Sequence, residues 1–212
     1  MIGSMTRGKC VGVIGAAALS MPIAYNCVRA DSPELEGPAY TAEGALILPA
    51  NYREWVAVGS NVGLLYGPAA PPPDQPPGFG NVYVSRAAYR VFLISGAWPE
   101  QTMFLLEARA SVVPPSVPDG ALAQGPRLAL EAEVKDTARY GGNGWRFFSF
   151  DGPNGTLAET AQPIPEAATC YSCHRDHAAV DNTFAQFYPT LFELAEQYGT
   201  VRPDFDPNRK IE

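Results

Sequence analysis

Residues able to do chemistry concentrate in one short stretch. Of the four cysteines and two histidines in 212 residues, two cysteines and both histidines fall within Cys170-Tyr171-Ser172-Cys173-His174-Arg175-Asp176-His177. A C-x-x-C-H run is the attachment pattern of c-type haem, in which two thiols add to the vinyl groups and the histidine ligates iron. On a helical turn, a spacing of three brings both sulfurs to one porphyrin edge, and the adjoining imidazole can swing beneath the metal. The run predicts one covalently held haem c, with Cys170 and Cys173 binding the group and His174 as its metal ligand.

Two plainer readings compete. Cys170 and Cys173 could form a simple disulfide, or join His174 and His177 around zinc. Four ligands within eight consecutive residues leave little backbone freedom for a tetrahedron, and structural zinc sites usually draw on two separated pairs. The histidine directly after the second cysteine favours haem.

The sixth coordination position decides between an electron carrier and a protein that binds or transforms a small ligand. His177 follows His174 by three residues on one helix, so it cannot reach the opposite haem face. No methionine follows His174, and Met103 is the only one after residue 30. Strand alternation should point Met103 away from its neighbours Phe104 and Leu106. The expectation is a five-coordinate iron with an apolar distal side, open to small neutral gases.

These residues need an exported setting and a scaffold. Residues 1–30 read as a secretory signal: Arg7 and Lys9, then the apolar run from Val11 to Leu19, then Val28-Arg29-Ala30 as a cleavage site. The run is interrupted by Gly12, Gly15, Ser20 and Pro22, which argues against a retained anchor. Ala24-Tyr25-Asn26 before Cys27 lacks the small residues that precede a lipidated cysteine. Cleavage would discard Cys10 and Cys27, remove three basic and no acidic side chains, and take the formal charge from −7 to −10. Such a surface repels nucleic acid and anionic membranes. A periplasmic protein with a single haem domain over 31–212 and no membrane contact after cleavage is expected.

The scaffold reads as α+β, a mainly antiparallel sheet followed by helices. Strands are expected at Tyr52–Val58, Asn81–Val84, Thr102–Ala110, Arg127–Val134 and Gly144–Phe150. Leu46 to Leu48 forms a short strand or docking segment, and the proline-rich run between Gly63 and Gly80 is a loop. Ser85 should cap a helix from Arg86 to Ile94 that ends at Gly96. Glu166 to His177 has helical composition, and Pro189 should kink or restart the helix that follows.

The mature chain resembles the cytochrome P-460 family, including its c′-beta members. The likeness rests on Leu48-Pro49-x-Asn51-Tyr52-Arg53-x-Trp55-Val56-x-Val58-Gly59, Asn81-Val82-Tyr83-Val84, Glu131-x-x-Val134-Lys135-Asp136 and Gly144-Trp145-x-Phe147-Phe148. It ends in Cys170-x-x-Cys173-His174 and Asp181-x-x-Phe184-x-x-Phe187-Tyr188-Pro189. The resemblance implies an antiparallel β domain with helices, a homodimer, and a haem with histidine as proximal ligand. It also implies that hydroxylamine-oxidising members carry a haem-linked lysine on the strand that here reads Thr102-Met103-Phe104-Leu105-Leu106-Glu107. With Glu107 aligned to the family's acidic residue, Leu106 stands where that lysine would be.

Members without the lysine bind nitric oxide and similar gases beneath aromatic residues. Phe104 and Leu106 fit that description, and Phe79 resembles the second distal aromatic. The leading expectation is therefore binding of a small gaseous or nitrogenous ligand, with a redox partner protein. Hydroxylamine oxidation and electron carriage are the alternatives. Glu131 is the candidate proton acceptor if the protein is an enzyme. Arg53 and Arg86 could meet haem propionates, although surface or structural roles are commoner for such residues.

Overall fold

In the computed structural model, residues 37–64, 72–116, 118 and 120–210 are described. The expected signal segment, with Cys10 and Cys27, lies outside them. The described residues all belong to one compact unit. Strands β1 (Ala39–Tyr40) and β2 (Leu46–Ile47) come first, followed by β3 (Val56–Val62) and β4 (Phe79–Val84). Helix α1 (Arg86–Ser95) leads to β5 (Met103–Val112), β6 (Ala123–Lys135), the short α2 (Thr137–Tyr140) and β7 (Trp145–Ser149). The chain continues through β8 (Thr160–Ala161), α3 (Thr169–His177) and α4 (Pro189–Tyr198).

Strands β3 to β7 form one antiparallel sheet in sequence order, and β1, β2 and β8 form a small second sheet. The α+β architecture is as expected. Register divides the main sheet into two faces. Across it, Phe104 pairs with Val84 and Glu133, Leu106 with Val82 and Glu131, and Glu133 with Phe147. Directly paired residues share a face, so all of these look one way. The core on this side also holds Phe92, Trp98, Trp145, Tyr188 and Leu191, contributed largely by α1, α4 and the loops beside them. Met103, Leu105, Leu130, Val134, Phe148 and Phe150 face the other core, with Tyr52, Trp55 and Leu46.

Helix α1 starts and stops where its caps place it: Ser85 Oγ accepts from Ala88 N–H, and Gly96 takes φ 67°. A Cβ on Gly96 would lie 2.8 Å from Tyr198 Cβ and 2.9 Å from Thr200 Oγ1, so only glycine fits where the ends of α1 and α4 meet. The helix restarts at Pro189, which occupies the first turn of α4, where its missing N–H costs nothing.

Several expected boundaries move, two of them with a clear cause. Tyr52–Val58 is not one strand: Tyr52–Glu54 is a 3-10 turn and the strand begins at Val56. Adjacent strand residues point to opposite faces, whereas the turn lets the Tyr52 hydroxyl and the Arg53 guanidinium both donate to Glu107. The helical stretch foreseen from Glu166 begins at Thr169, because the chain turns at Pro165, where Ala168 N–H donates to the Pro165 carbonyl.

Candidate functional site

Helix α3 carries all three residues of the attachment run. Tyr171 and His174, three apart, share a face of the helix and pack edge-on against Phe147 of β7, at ring-centre distances of 4.8 and 4.5 Å. Tyr171 also donates from its hydroxyl to the Ile164 carbonyl at 2.9 Å, fixing the start of the helix. Phe184 packs on the His174 ring at 4.6 Å. Cys170 and Cys173 stand on the neighbouring part of the surface, half-buried and unbridged. Burial pushes both thiols up, reinforced at Cys170 by Glu131 and Glu133 and at Cys173 by Cys170 and Asp176. They are held as thiols among carboxylates, the reverse of the electropositive setting that makes a thiolate. Among the described residues, no three histidines, cysteines or carboxylates cluster as a metal cage.

The imidazole is oriented from behind. His174 Nδ1 donates to the Asn182 carbonyl at 2.7 Å, so the proton sits on Nδ1 and the lone pair on Nε2. A proximal haem ligand requires this tautomer, commonly fixed by a backbone carbonyl. The carbonyl is placed by a turn in which Asp181 and Asn182 have φ 44° and 64°, both left-handed. Non-glycine residues hold that conformation at a cost, and several contacts secure it here. Asp181 accepts from Lys135 Nζ at 2.6 Å and from Trp145 Nε1 at 3.2 Å, while Lys135 also donates to the Trp98 carbonyl at 2.9 Å. Trp98 Nε1 donates to Thr183 Oγ1 at 2.8 Å, and that hydroxyl donates to the Val180 carbonyl.

Beside the ring lies Glu133, buried on the sheet, with Oε1 3.3 Å from His174 Nδ1. Burial raises its pKa despite the histidine. Burial would lower the His174 pKa, but Glu133, the Asn182 carbonyl and Glu131 outweigh it, so the net shift is upward. Glu131, on the same face, is raised by burial and by Asp151.

The residue set fits a haem: two protonated thiols and an imidazole with Nε2 as its ligating atom, on one helix against one sheet face. Residues 49–185 match the family model described as Cytochrome P460. This chain belongs to the cytochrome P460 family. A search of curated proteins finds no match. Membership makes it a haem protein, and within it the sequence-derived site residues fall in different places. Leu106 lies on the His174 face and keeps some exposed surface. Phe104 shares that face but is sunk in the core, 4.7 Å from the Trp98 ring and 6.4 Å from Trp145.

Phe79 pairs with Arg109, in step with Asn81 opposite Glu107, so its register position belongs to the other face. Met103 is buried on that other face as well. Arg53 is committed to Glu107, and Arg86 donates to the Glu54 carbonyl at 2.6 Å. The His174 face is not uniformly apolar, because Glu131 and Glu133 both lie on it. Sequence reasoning named Glu131 and missed Glu133, although two residues apart on a strand must share a face.

Proposed function

We propose that this P460 protein is exported to the periplasm, carries one haem c on Cys170, Cys173 and His174, and binds nitric oxide or a similar small gas at a five-coordinate iron. The observation that carries the reading is the pair of placements on β5: Leu106 on the His174 face, where the resemblance implies a lysine in hydroxylamine-oxidising members, and Met103 on the opposite face. Bound haem would supply an iron with one open coordination position. The thiols of Cys170 and Cys173 would each add S–H across a vinyl double bond, with no leaving group. His174 would offer Nε2 while the Asn182 carbonyl holds Nδ1–H. Leu106 and Val82 make that part of the face apolar, and Glu131 disfavours anions, leaving neutral diatomics favoured. Export rests on the features of residues 1–30, a homodimer rests on the family resemblance, and a redox partner protein would exchange electrons with the iron.

A pyridine haemochrome assay and the ferrous spectrum test this. A c-type α-band, a high-spin ferrous Soret and rapid formation of a nitrosyl adduct are expected, and Met103→Leu should leave the spectrum unchanged. A six-coordinate low-spin ferrous spectrum would overturn the open position.

One observation favours a second reading, oxidation of hydroxylamine. Glu131 pairs directly across from Leu106, and burial holds its carboxyl above the ordinary range, suiting it to accept a proton. Steady turnover of hydroxylamine with an artificial electron acceptor would establish that reading, and a strongly red-shifted Soret would indicate a cross-linked haem.

A further inference from the structure

Glu133 is costly to keep. It sits mid-strand on β6, between Phe104 and Phe147 across the register, and is only 9% exposed. Taking a carboxylate out of water costs several kcal/mol unless it is paired and hydrogen-bonded. Its Oε1 has no hydrogen-bond partner among the described residues. The ion-pair neighbour it has is His174 Nδ1 at 3.3 Å, and that N–H is given to the Asn182 carbonyl at 2.7 Å. A buried acceptor left unsatisfied in a well-packed sheet calls for a reason.

We infer that Glu133 is a positioning residue of the haem iron, acting through His174. Its carboxylate lies behind the proximal imidazole, supplies countercharge to a cation held on Nε2 and pushes electron density toward that nitrogen. This rests on the reading that His174 Nε2 is the iron ligand. Three consequences join in one arrangement. The carboxylate gains the positive charge that the described residues otherwise provide only through the imidazole. The imidazole becomes a stronger donor, as carboxylate-supported histidines do at other metal centres. Ferric iron, with one more positive charge than ferrous, is stabilised preferentially, which lowers the reduction potential. A more basic proximal histidine also holds its bond better when a strong ligand binds on the opposite side.

The test uses the haem-loaded full chain and three measurements: the pyridine haemochrome, the ferrous iron–histidine stretching band by resonance Raman, and the midpoint potential. In Glu133→Gln, which keeps the shape and loses the charge, the ferrous-to-ferric ratio at a fixed potential should rise about tenfold, equivalent to about 59 mV for one electron. The stretching frequency should fall. Glu133→Asp, which keeps the charge but draws it back, should fall between wild type and the Gln variant in both.

An intact c-type haem with an iron–histidine band, but a midpoint within about twofold of wild type (~18 mV) in the Gln variant, overturns the inference and leaves the haem reading standing. Wild-type protein with no c-type haem, or with no iron–histidine band, overturns both. If the Gln variant fails to assemble, the Asp variant decides: an upward midpoint shift supports the inference, and an unchanged one overturns it.

Discussion

Glu107→Gln tests the network that joins the 3-10 turn Tyr52–Glu54 to the sheet. Glu107 is 1% exposed and accepts from Tyr52 Oη at 3.1 Å, Arg53 Nε at 3.2 Å, Arg53 Nη2 at 2.9 Å, and Arg109 Nη1. Glutamine keeps the shape and removes the charge. Hydrogen bonds to charged groups contribute about 1.5–3 kcal/mol each when shielded. The Arg53 side chain is 61% exposed, so water and salt reduce its share to under about 1 kcal/mol. Arg109, at 28%, keeps about 1.5 kcal/mol, and Tyr52, which retains a neutral acceptor, loses about 0.5 kcal/mol.

The sum is about 3 kcal/mol, or roughly 6–12 °C in Tm for a domain of this size. Burial would raise the Glu107 pKa, but Arg53, Arg109 and Tyr52 together hold it below the ordinary range. A depressed folded-state pKa gives stability that is present above the unfolded value, about 4.3, and is lost as pH falls through the folded value. The gap between wild type and variant, followed by circular dichroism melts, should therefore be full at pH 7 and close in acid. A gap under about 2 °C at pH 7, or one unchanged in strong acid, would refute the reasoning.

Glu131→Gln should act in the opposite sense. Burial and Asp151 raise the Glu131 pKa, so the native state favours its protonated form, and the stability it contributes is lost as pH rises from about 4.3 through the raised value. The variant should melt above wild type at pH 7 and together with it near pH 4. Gly96→Ala should cost about 1–3 kcal/mol by denaturant titration, because alanine must adopt φ 67° and meet Tyr198 and Thr200 at the same time. A loss below about 0.5 kcal/mol would show that the contact relaxes.

How far the chain could be read without coordinates follows from the range of each signal. Ser85 and Gly96 bracket α1 because caps act over one turn, and the C-x-x-C-H run is local too. The pattern places the start of β6 at Arg127, because Gly125 and Pro126 look like strand breakers, but the strand starts at Ala123. They are tolerated because β7 pairs only with Glu131 to Lys135, leaving Pro126 beside β5 alone. Which face Phe79 takes depends on its pairing with Arg109, thirty residues away in the chain, and no local pattern carries that. The Asn182 carbonyl behind His174 was likewise hidden, because Asp181 and Asn182 reach left-handed φ through contacts from Lys135 and Trp145 on the sheet.

The order of strands in the main sheet also bears on how the molecule is made. From β3 to β7 every strand pairs with its predecessor in the chain. The sheet can therefore grow strand by strand, each closure spanning 9 to 18 residues and each step prepared by the one before. The pairing of β2 with β8 is of another kind, joining Leu46 to Ala161 across more than a hundred residues. Its closure entropy is repaid only once the intervening sheet has drawn the two ends together. The small sheet clasps the two ends of the main sheet together, and the attachment helix follows it in the chain, so every strand that helix packs on precedes it.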